Sequence, residues 1–384
     1  MTEYRRLDDI CNINMGQSPA SDSYNEDGDG LPFFQGNADF GELYPEVRIW
    51  CNAPTKIVEP ETLLISVRAP IGALNFSRER SCIGRGLAGI TPMPGIELKY
   101  VYYCFKGKNA ELNAKGTGST FKAIAKAALG ETPVRMISLV EQQEIIQTID
   151  KLSEVIRQRK QQLADLDTLI KARFVEMFGE PETNPMQWNV APLKQLMTVE
   201  PQNGLYKPQS DYVQDGSGTP ILRIDAFYDG RVTDFSLLKR LICSDTEKQR
   251  YLLCENDIVI NRVNSIEYLG KCAHITGMAE DTVFESNMMR FHLDEKVINA
   301  EFATHLLCSK YIYNQILRRA KKAVNQASIN QGDVQSFVML VPPLELQNQF
   351  AAFVAQIDKS KAVVQKALDE AQTLFDSLMQ QYFG

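Results

Sequence analysis

A long segment of this chain occurs twice. Residues 139–179 and 344–384 align without a gap at an offset of 205 positions, and both end in Phe-Gly. Each has apolar residues at spacings of three, four and seven and no internal Gly or Pro, which predicts a long helix with a coiled-coil seam. At 1.5 Å per residue each helix would be about 55–60 Å long. Two such helices leave the remaining residues of the chain to form separate globules.

The segments before the two helices have a different pattern. Residues 1–138 and 186–343 contain short apolar runs, such as 63–67 and Asp257–Asn261, broken by Gly, Pro, Asn and Asp. This pattern is typical of strands and loops in mixed α/β (α+β) domains. The predicted order is globule, helix, globule, helix, with boundaries at 1–138, 139–180, 181–343 and 344–384. If the helical seams pack together they must run antiparallel, which predicts a dumbbell with an approximate internal two-fold axis.

The two globules also resemble each other at their ends. Leu7 corresponds to Leu193 and Gly16 to Gly204 at offsets of 186–188, whereas Ile124 and Ile329 already follow the offset of 205. The second globule therefore carries about 17–19 additional residues in its loops.

Composition excludes several classes of protein. The net charge of −7, from 41 basic and 48 acidic residues, argues against a uniformly basic nucleic-acid-binding surface. No apolar stretch reaches the length of a membrane span, and the N-terminus lacks a secretory pattern. The eight cysteines form no C-x-x-C pair, which predicts free thiols in a reducing cytoplasm.

Motifs for catalysis are missing from the sequence. The pattern G-x-G-x-x-G occurs at residues 84–89, but Pro92 and Pro94 follow it and a dinucleotide loop must open a helix. We therefore interpret it as a turn between strands. Neither a methyltransferase N-P-P-F/Y tetrad nor a nuclease triad is present, and the three histidines show no metal-binding spacing. We expect no catalytic centre, no metal site and no cofactor.

Two basic windows stand out against the acidic chain. Residues 98–130 and 302–332 each have a net charge of +5, and both lie just before the repeated register. One interpretation is a solvated helix face; the other is neutralisation of DNA phosphates by Lys and Arg, with nearby amides at base edges. Arg68 and Arg262 each follow a strand-like run and could read guanine or cap a sheet edge. The predicted DNA-binding residues are Arg68, Arg85, Lys106, Lys108, Lys115, Lys122, Arg262, Asn264, Arg318, Arg319, Lys321, Lys322, Asn325 and Gln326.

The tandem order, the repeated helices and three phrases resemble a known family. The phrases are ISVRAPIG at residues 65–72, IGRGLA at 83–88 and DIVINR at 257–262. They resemble the DNA-specificity (S) subunit of Type I restriction–modification enzymes. The resemblance implies two target-recognition domains, each reading half of a bipartite, asymmetric site in double-stranded DNA. It also implies helices that act as a spacer and as the docking site for two methyltransferase subunits, and through them for restriction subunits.

The same resemblance implies a subunit without catalytic activity. S-adenosylmethionine, ATP and Mg²⁺ would then be bound only by partner subunits. The alternatives are the specificity subunit of a related Type II-like methyltransferase–nuclease complex, a fused restriction–methylation enzyme, and a coiled-coil structural adaptor. The missing catalytic motifs argue against the enzyme, and the duplicated basic windows argue against the adaptor.

Overall fold

The structure is a computed structural model, and it describes residues 3–117, 122–324 and 326–384. The chain divides into two compact units. Unit 1 comprises Met1–Gln162 and Val364–Gly384, and unit 2 comprises Leu163–Val363. The predicted domain boundaries follow the helix ends, whereas these units divide both long helices near their middle. The placement of one globule relative to the other stays a prediction.

Unit 1 is a mixed α/β globule with short elements. Its helices are α1 (Leu7–Ile10), α2 (Leu98–Gly107), α3 (Asn109–Ala114) and α4 (Lys126–Gly130). Its strands are β1 (Tyr4–Arg6), β2 (Cys11–Met15), β3 (Tyr24–Asn25), β4 (Leu31–Phe34), β5 (Trp50–Cys51), β6 (Ile57–Val58), β7 (Leu63–Ser66), β8 (Leu74–Phe76), β9 (Ser81–Ile83), β10 (Leu87–Pro92) and β11 (Pro133–Arg135). They form a four-stranded sheet β2-β10-β7-β8, a five-stranded sheet β3-β5-β4-β9-β6 and the pair β1-β11.

Unit 2 contains the corresponding elements of the second globule. Its strands are β12 (Asn189–Pro192), β13 (Met197–Asn203), β14 (Tyr212–Val213), β15 (Thr219–Leu222), β16 (Phe227–Tyr228), β17 (Gly230–Val232), β18 (Lys239–Leu241), β19 (Asp257–Asn261), β20 (Val263–Asn264), β21 (Cys272–His274), β22 (Val283–Phe284), β23 (Met288–Leu293), β24 (Lys321–Lys322), β25 (Ala327–Ser328) and β26 (Val338–Val341). Its helices are α6 (Asp245–Tyr251), α7 (Ala300–Leu307), α8 (Lys310–Arg319) and α9 (Gln331–Gln335). The sheets are β13-β23-β19-β21-β17-β16, β14-β18-β15-β22, β20-β25-β24 and β12-β26.

The register of the sheets shows that the two globules share one plan. The first pairs Met15 with Ala88 across β2 and β10, and the second pairs Asn203 with Met289 across β13 and β23. The offset between equivalent residues grows along the chain. It is 188 from Gly16 to Gly204, 195 from Ser66 to Asn261, 201 from Leu87 to Met288 and 205 from Ile124 to Ile329. The additional residues of the second globule are therefore inserted between these matched positions, and the mixed α/β class is confirmed.

The two long helices are also confirmed. They are α5 (Leu139–Phe178) and α10 (Leu344–Phe383), each of 40 residues. Ser138 starts α5 by accepting a hydrogen bond from the Glu141 N–H, while the Glu141 carboxylate accepts one from the Ser138 N–H. Gly179 ends it with φ at +76°, a left-handed conformation that favours glycine. Within the described ranges, no helix is both long enough and apolar enough to cross a membrane.

Aromatic side chains join the ends of the long helices to the core of unit 2. Phe174 and Phe178 of α5 pack against Phe350 of α10 with ring centres 5.4 and 5.7 Å apart. Further along, Lys361 Nζ of α10 lies 2.6 Å from Asp167 Oδ1 of α5. Within unit 2 the two helical segments therefore run antiparallel, as their sequence order predicts.

A buried glutamine fixes the start of each long helix. In unit 1 the Gln142 Oε1 accepts from the Glu97 N–H at 2.9 Å, and Nε2 donates to the carbonyls of Gly95 and Ile137. In unit 2 the equivalent Gln347 accepts from the Asn299 N–H at 2.8 Å and donates to two carbonyls. Both glutamines are fully buried. One amide thus satisfies three backbone groups at the point where each helix joins its globule.

Replacing Gln142 by Met should destabilise unit 1. The thioether fills a similar volume but leaves three backbone groups without a partner, at about 1–3 kcal/mol for each unsatisfied group. The measurement is the midpoint of denaturant unfolding of the full chain. Gln143→Met is the matched control, because Gln143 is exposed and its side chain donates, within the described chain, only to the Glu97 carboxylate. Equal midpoints for the two variants would contradict this role of Gln142.

Candidate nucleic-acid interface

The second basic window folds into a small ribbon in unit 2. Strand β25 lies between β20 and β24, so that Ser328 pairs with Val263 on one side and with Lys321 on the other. The Ile329 N–H donates to the Arg262 carbonyl at 3.0 Å, which extends the ribbon to the end of β19. The ribbon thus brings β24 beside residues that are about 60 positions away in the sequence.

The first basic window forms the same ribbon in unit 1. Ala123 bridges Arg68 on one side and Thr117 on the other, and the Ile124 N–H donates to the Val67 carbonyl at 2.9 Å. Ala123 and Ile124 are equivalent to Ser328 and Ile329 at the offset of 205. We call residues 67–68, 117 and 122–124 the first ribbon and residues 262–264, 321–322 and 327–329 the second ribbon. Two segments that match only weakly in sequence thus have the same hydrogen-bond pattern.

Exposed cations lie on or next to each ribbon. They are Arg68, Lys115 and Lys122 in unit 1 and Arg318, Lys321 and Lys322 in unit 2. Among the residues that the structure describes, none of these six side chains forms an ion pair. By contrast, Lys99 is bound to Asp150 at 2.6 Å. Cations without a carboxylate partner are available for phosphate oxygens, since no internal ion pair has to be broken.

Two other predicted cations, Arg319 and Lys108, make contacts within unit 2 and unit 1, respectively. Arg319 Nε donates to Ser336 Oγ at 2.8 Å, and Nη1 donates to the Gln315 carbonyl at 3.0 Å. Lys108 is only 7% exposed, and its Nζ lies 4.0 Å from Glu111 Oε1. These contacts stabilise the end of α8 and the junction of α2 and α3, and they leave little of either side chain for a phosphate.

Lys106 faces the long helix α10. Its ammonium lies 5.2 Å from the centre of the Phe375 ring and 5.7 Å from that of Tyr102. Burial lowers the pKa of Lys106, and the nearby charge of Lys160 lowers it further. Its geometry is that of a cation–π contact within unit 1.

The remaining predicted residues lie near the ribbons or between strands. Asn264 is half-buried and its Oδ1 accepts from the Ser265 N–H at 2.8 Å. Gln326 is exposed in the turn of the β24–β25 hairpin, and Asn325 lies outside the described residues. Arg85 is exposed in the glycine-rich turn between β9 and β10, where its N–H donates to Ser18 Oγ at 3.3 Å. The prediction that residues 84–89 open no helix is confirmed.

Arg68 and Arg262 do not occupy equivalent positions. In unit 1 the Val67 N–H donates at 2.8 Å to the carbonyl of Gly86, the residue before β10. In unit 2 the Arg262 N–H donates at 2.8 Å to the carbonyl of Asn287, the residue before β23. Arg262 is therefore equivalent to the buried Val67. Its Nη1 donates to the Ser286 carbonyl at 3.1 Å, which holds the half-buried guanidinium in place.

An open groove beside Arg262 contains residues that the sequence analysis did not single out. Asn203, Arg262, Asn330, Gln331 and Gly332 line it, and we call it the amide groove. A sequence signal for them existed, because Asn203 precedes the matched Gly204 and Asn330 follows the matched Ile329. The described residues include no cluster of His, Cys, Asp and Glu that could hold a metal ion.

Comparison with known families gives a match over most of the chain. The family model described as the Type I restriction modification DNA specificity domain matches residues 2–166 and again residues 185–372. The two matches coincide with the two halves of the internal repeat.

Two curated relatives come from Methanocaldococcus jannaschii. The MjaX specificity subunit of a type I restriction enzyme is 42% identical over 155 residues, which is 39% of this chain and 36% of the relative. The MjaIX specificity subunit is 22% identical over 351 residues, which is 84% of this chain and 77% of the relative. The alignment to the first relative thus spans little more than a third of that protein's length.

A solved structure matches the whole chain. It is the S subunit of a Type-I restriction-modification system from M. genitalium, with a TM-score of 0.62 and 16% identity. The match covers 100% of this chain and 96% of that one, and at this identity it shows the shared fold.

Proposed function

This chain belongs to the family of Type I restriction modification DNA specificity domains, and from this premise we propose that it recognises a bipartite DNA site for a restriction–modification complex. Each unit reads one short word in double-stranded DNA. Because the two globules differ in sequence, the two words differ. The long helices hold the words at a fixed spacing and provide the surface for two methyltransferase subunits, which in turn bring restriction subunits.

One observation carries this proposal. The two basic ribbons have the same hydrogen-bond pattern, and each has three exposed cations beside it that form no ion pair within the described residues. A structural adaptor has no need for unpaired cations beside the equivalent ribbons of two globules. Two modules that bind the phosphate backbone of one duplex have that need.

The test is selection of DNA from a random pool. The chain is assembled with its cognate methyltransferase subunits, incubated with duplexes of random sequence, and the retained DNA is sequenced after an electrophoretic shift. We expect two short words separated by a constant number of random base pairs. Retention without any enriched word would contradict the proposal and favour a structural adaptor.

The chain works without a catalytic centre or cofactor of its own. S-adenosylmethionine, ATP and Mg²⁺ belong to the partner subunits, and the complex works in the cytoplasm, where the eight free cysteines stay reduced.

The isolated chain should neither methylate nor cut DNA. The sequence lacks the methyltransferase tetrad and the nuclease triad, and the described residues hold no metal-binding cluster. The measurement is transfer of labelled methyl groups from S-adenosylmethionine to duplex DNA, with the assembled complex as the positive control. Methyl transfer by the pure chain would show that it is an enzyme.

A further inference from the structure

The amide groove of unit 2 has the chemistry of a base-reading surface. Arg262 contributes a guanidinium, and Asn203, Asn330 and Gln331 contribute side-chain amides. Among the residues that the structure describes, none that lines the groove is acidic. Arginine donates two hydrogen bonds to N7 and O6 of guanine, and an amide both donates to and accepts from the N6–N7 edge of adenine. Both pairings read purines from the major groove of DNA.

The donors of this groove are available. Arg262 uses Nη1 to bind the Ser286 carbonyl, and within the described chain its Nε and Nη2 have no partner. Asn330 Oδ1 accepts from the Asp333 N–H at 3.0 Å, and its Nδ2 is without a partner there. The side chains of Asn203 and Gln331 are exposed and likewise make no hydrogen bond within the described chain. The bond from Arg262 to Ser286 fixes the guanidinium in advance, so that less side-chain entropy is lost on binding.

The groove adjoins the second ribbon. Arg262 is followed directly by β20, and its carbonyl accepts from the Ile329 N–H, which follows β25. The exposed Lys321 and Lys322 lie on the outer strand of the same ribbon. The exposed cations of the ribbon and the polar groups of the groove therefore lie next to each other, the arrangement by which backbone contacts position a reader on its bases.

Unit 1 does not have these groups at the equivalent positions. The register places Met15 where Asn203 lies, Val67 where Arg262 lies, and Ala125 and Lys126 where Asn330 and Gln331 lie. Val67 is 3% exposed and Met15 half-buried. The two units thus share the ribbon but differ in the groove beside it.

We propose that the amide groove is a specificity-determining site that reads purines in the word recognised by unit 2, with Arg262 on a guanine, the Gln331 amide on an adjacent adenine, and the amides of Asn203 and Asn330 beside it. This inference rests on the proposed function, since it assigns residues to one of the two words. The shared ribbon accounts for binding to DNA by both units. The groove accounts for the difference between their words.

Two variants test the assignment in the complex with methyltransferase subunits. The first combines Asn203→Ala, Asn330→Ser and Gln331→Ala; serine keeps the helix cap because its oxygen also accepts from the Asp333 N–H. The second is Arg262→Lys, which keeps the charge but loses the planar fork of donors. The probe is a random duplex pool, followed by titration of single-mismatch duplexes.

We expect each variant to lose discrimination at one or two neighbouring positions of one word, by about 5- to 150-fold. The other word and the gap should stay unchanged and so serve as internal controls. Unchanged discrimination in both words, or equal weakening on every duplex, would overturn the inference.

The outcomes distinguish this inference from the proposed function. If the unmodified complex enriches no word, the proposed function fails, and the assignment of the groove to a word fails with it. If the unmodified complex enriches two words that both variants retain, only the groove assignment fails. Gln331→Ala alone is the safeguard for folding, because Gln331 is exposed and no described contact depends on its amide; it should relax the adenine position by itself.

Discussion

Deleting Leu163–Leu169 from α5, together with seven residues of α10 that begin at Lys359, should shorten the gap between the two DNA words by about three base pairs. Seven helical residues span about 10 Å, which is the rise of about three base pairs. Both words should survive, because no residue of either ribbon is removed. The matched deletion keeps α5 and α10 equally long. The measurement is selection from a pool in which both the sequence and the gap vary.

The control for this deletion keeps the helix length. Thr168→Ala lies within the deleted segment and removes only a hydrogen bond to the Ala164 carbonyl, so the gap should not change. A constant gap with an altered word would show that the helices do not act as a ruler. Complete loss of binding by a folded variant would also contradict the simple ruler. Three base pairs turn the duplex by about 100°, and the loss would mean that one unit cannot follow that rotation.

Replacing Arg318, Lys321 and Lys322 by Ala should weaken binding of the assembled complex to every duplex. Each phosphate contact releases counterions, so the slope of log affinity against log salt should flatten by about 0.9 for each lost contact, or about 2.7 for all three. Over a fourfold rise in salt concentration, the affinity of the variant should therefore fall roughly 40-fold less than that of the unmodified complex. The preferred words should stay the same, since phosphate contacts carry no base information.

Arg319 provides the matched control for this triple variant. It lies next to Arg318 in the sequence and in the same basic window, but its guanidinium donates to Ser336 Oγ and to the Gln315 carbonyl. Arg319→Ala should leave the salt slope unchanged and lower the midpoint of thermal unfolding instead. An unchanged slope for the triple variant would assign its cations to a solvated face or to the methyltransferase interface. Loss of a base preference with an intact slope would assign them to base reading.

Some properties of this chain follow from the sequence because their causes are local. The bounds of α5 and α10 depend on apolar spacing, on the capping pair Ser138 and Glu141, and on Gly179 at the end. All of these lie within a few residues of the helix they define. The duplication is visible at a constant offset of 205 because neither long helix contains an insertion relative to the other. The order of globule, helix, globule and helix then indicates the family. The glycine-rich turn at residues 84–89 was predicted for the same reason, since nearby prolines forbid a helix.

The tertiary structure decided which cations are available for DNA. Arg318 and Arg319 are neighbours in the same basic window, yet one is exposed and the other is bound to Ser336, 17 positions away. Lys106, Lys108 and Lys115 share one basic window, yet Lys108 is buried in unit 1, and the exposed Lys106 places its ammonium 5.2 Å from the centre of the Phe375 ring. The sequence of a basic window predicts its net charge but not which residues its side chains contact, because those residues belong to segments that are distant in sequence.

The equivalence of positions between the two globules also required the structure. In the sequence, Arg68 and Arg262 look equivalent because each follows a strand-like run. The hydrogen bonds to Gly86 and Asn287 instead make Arg262 equivalent to Val67. The sequence determined that there are two related globules and two long helices. The register between distant strands, which is set by backbone hydrogen bonds and by loops of different length, decided which residues lie beside each ribbon.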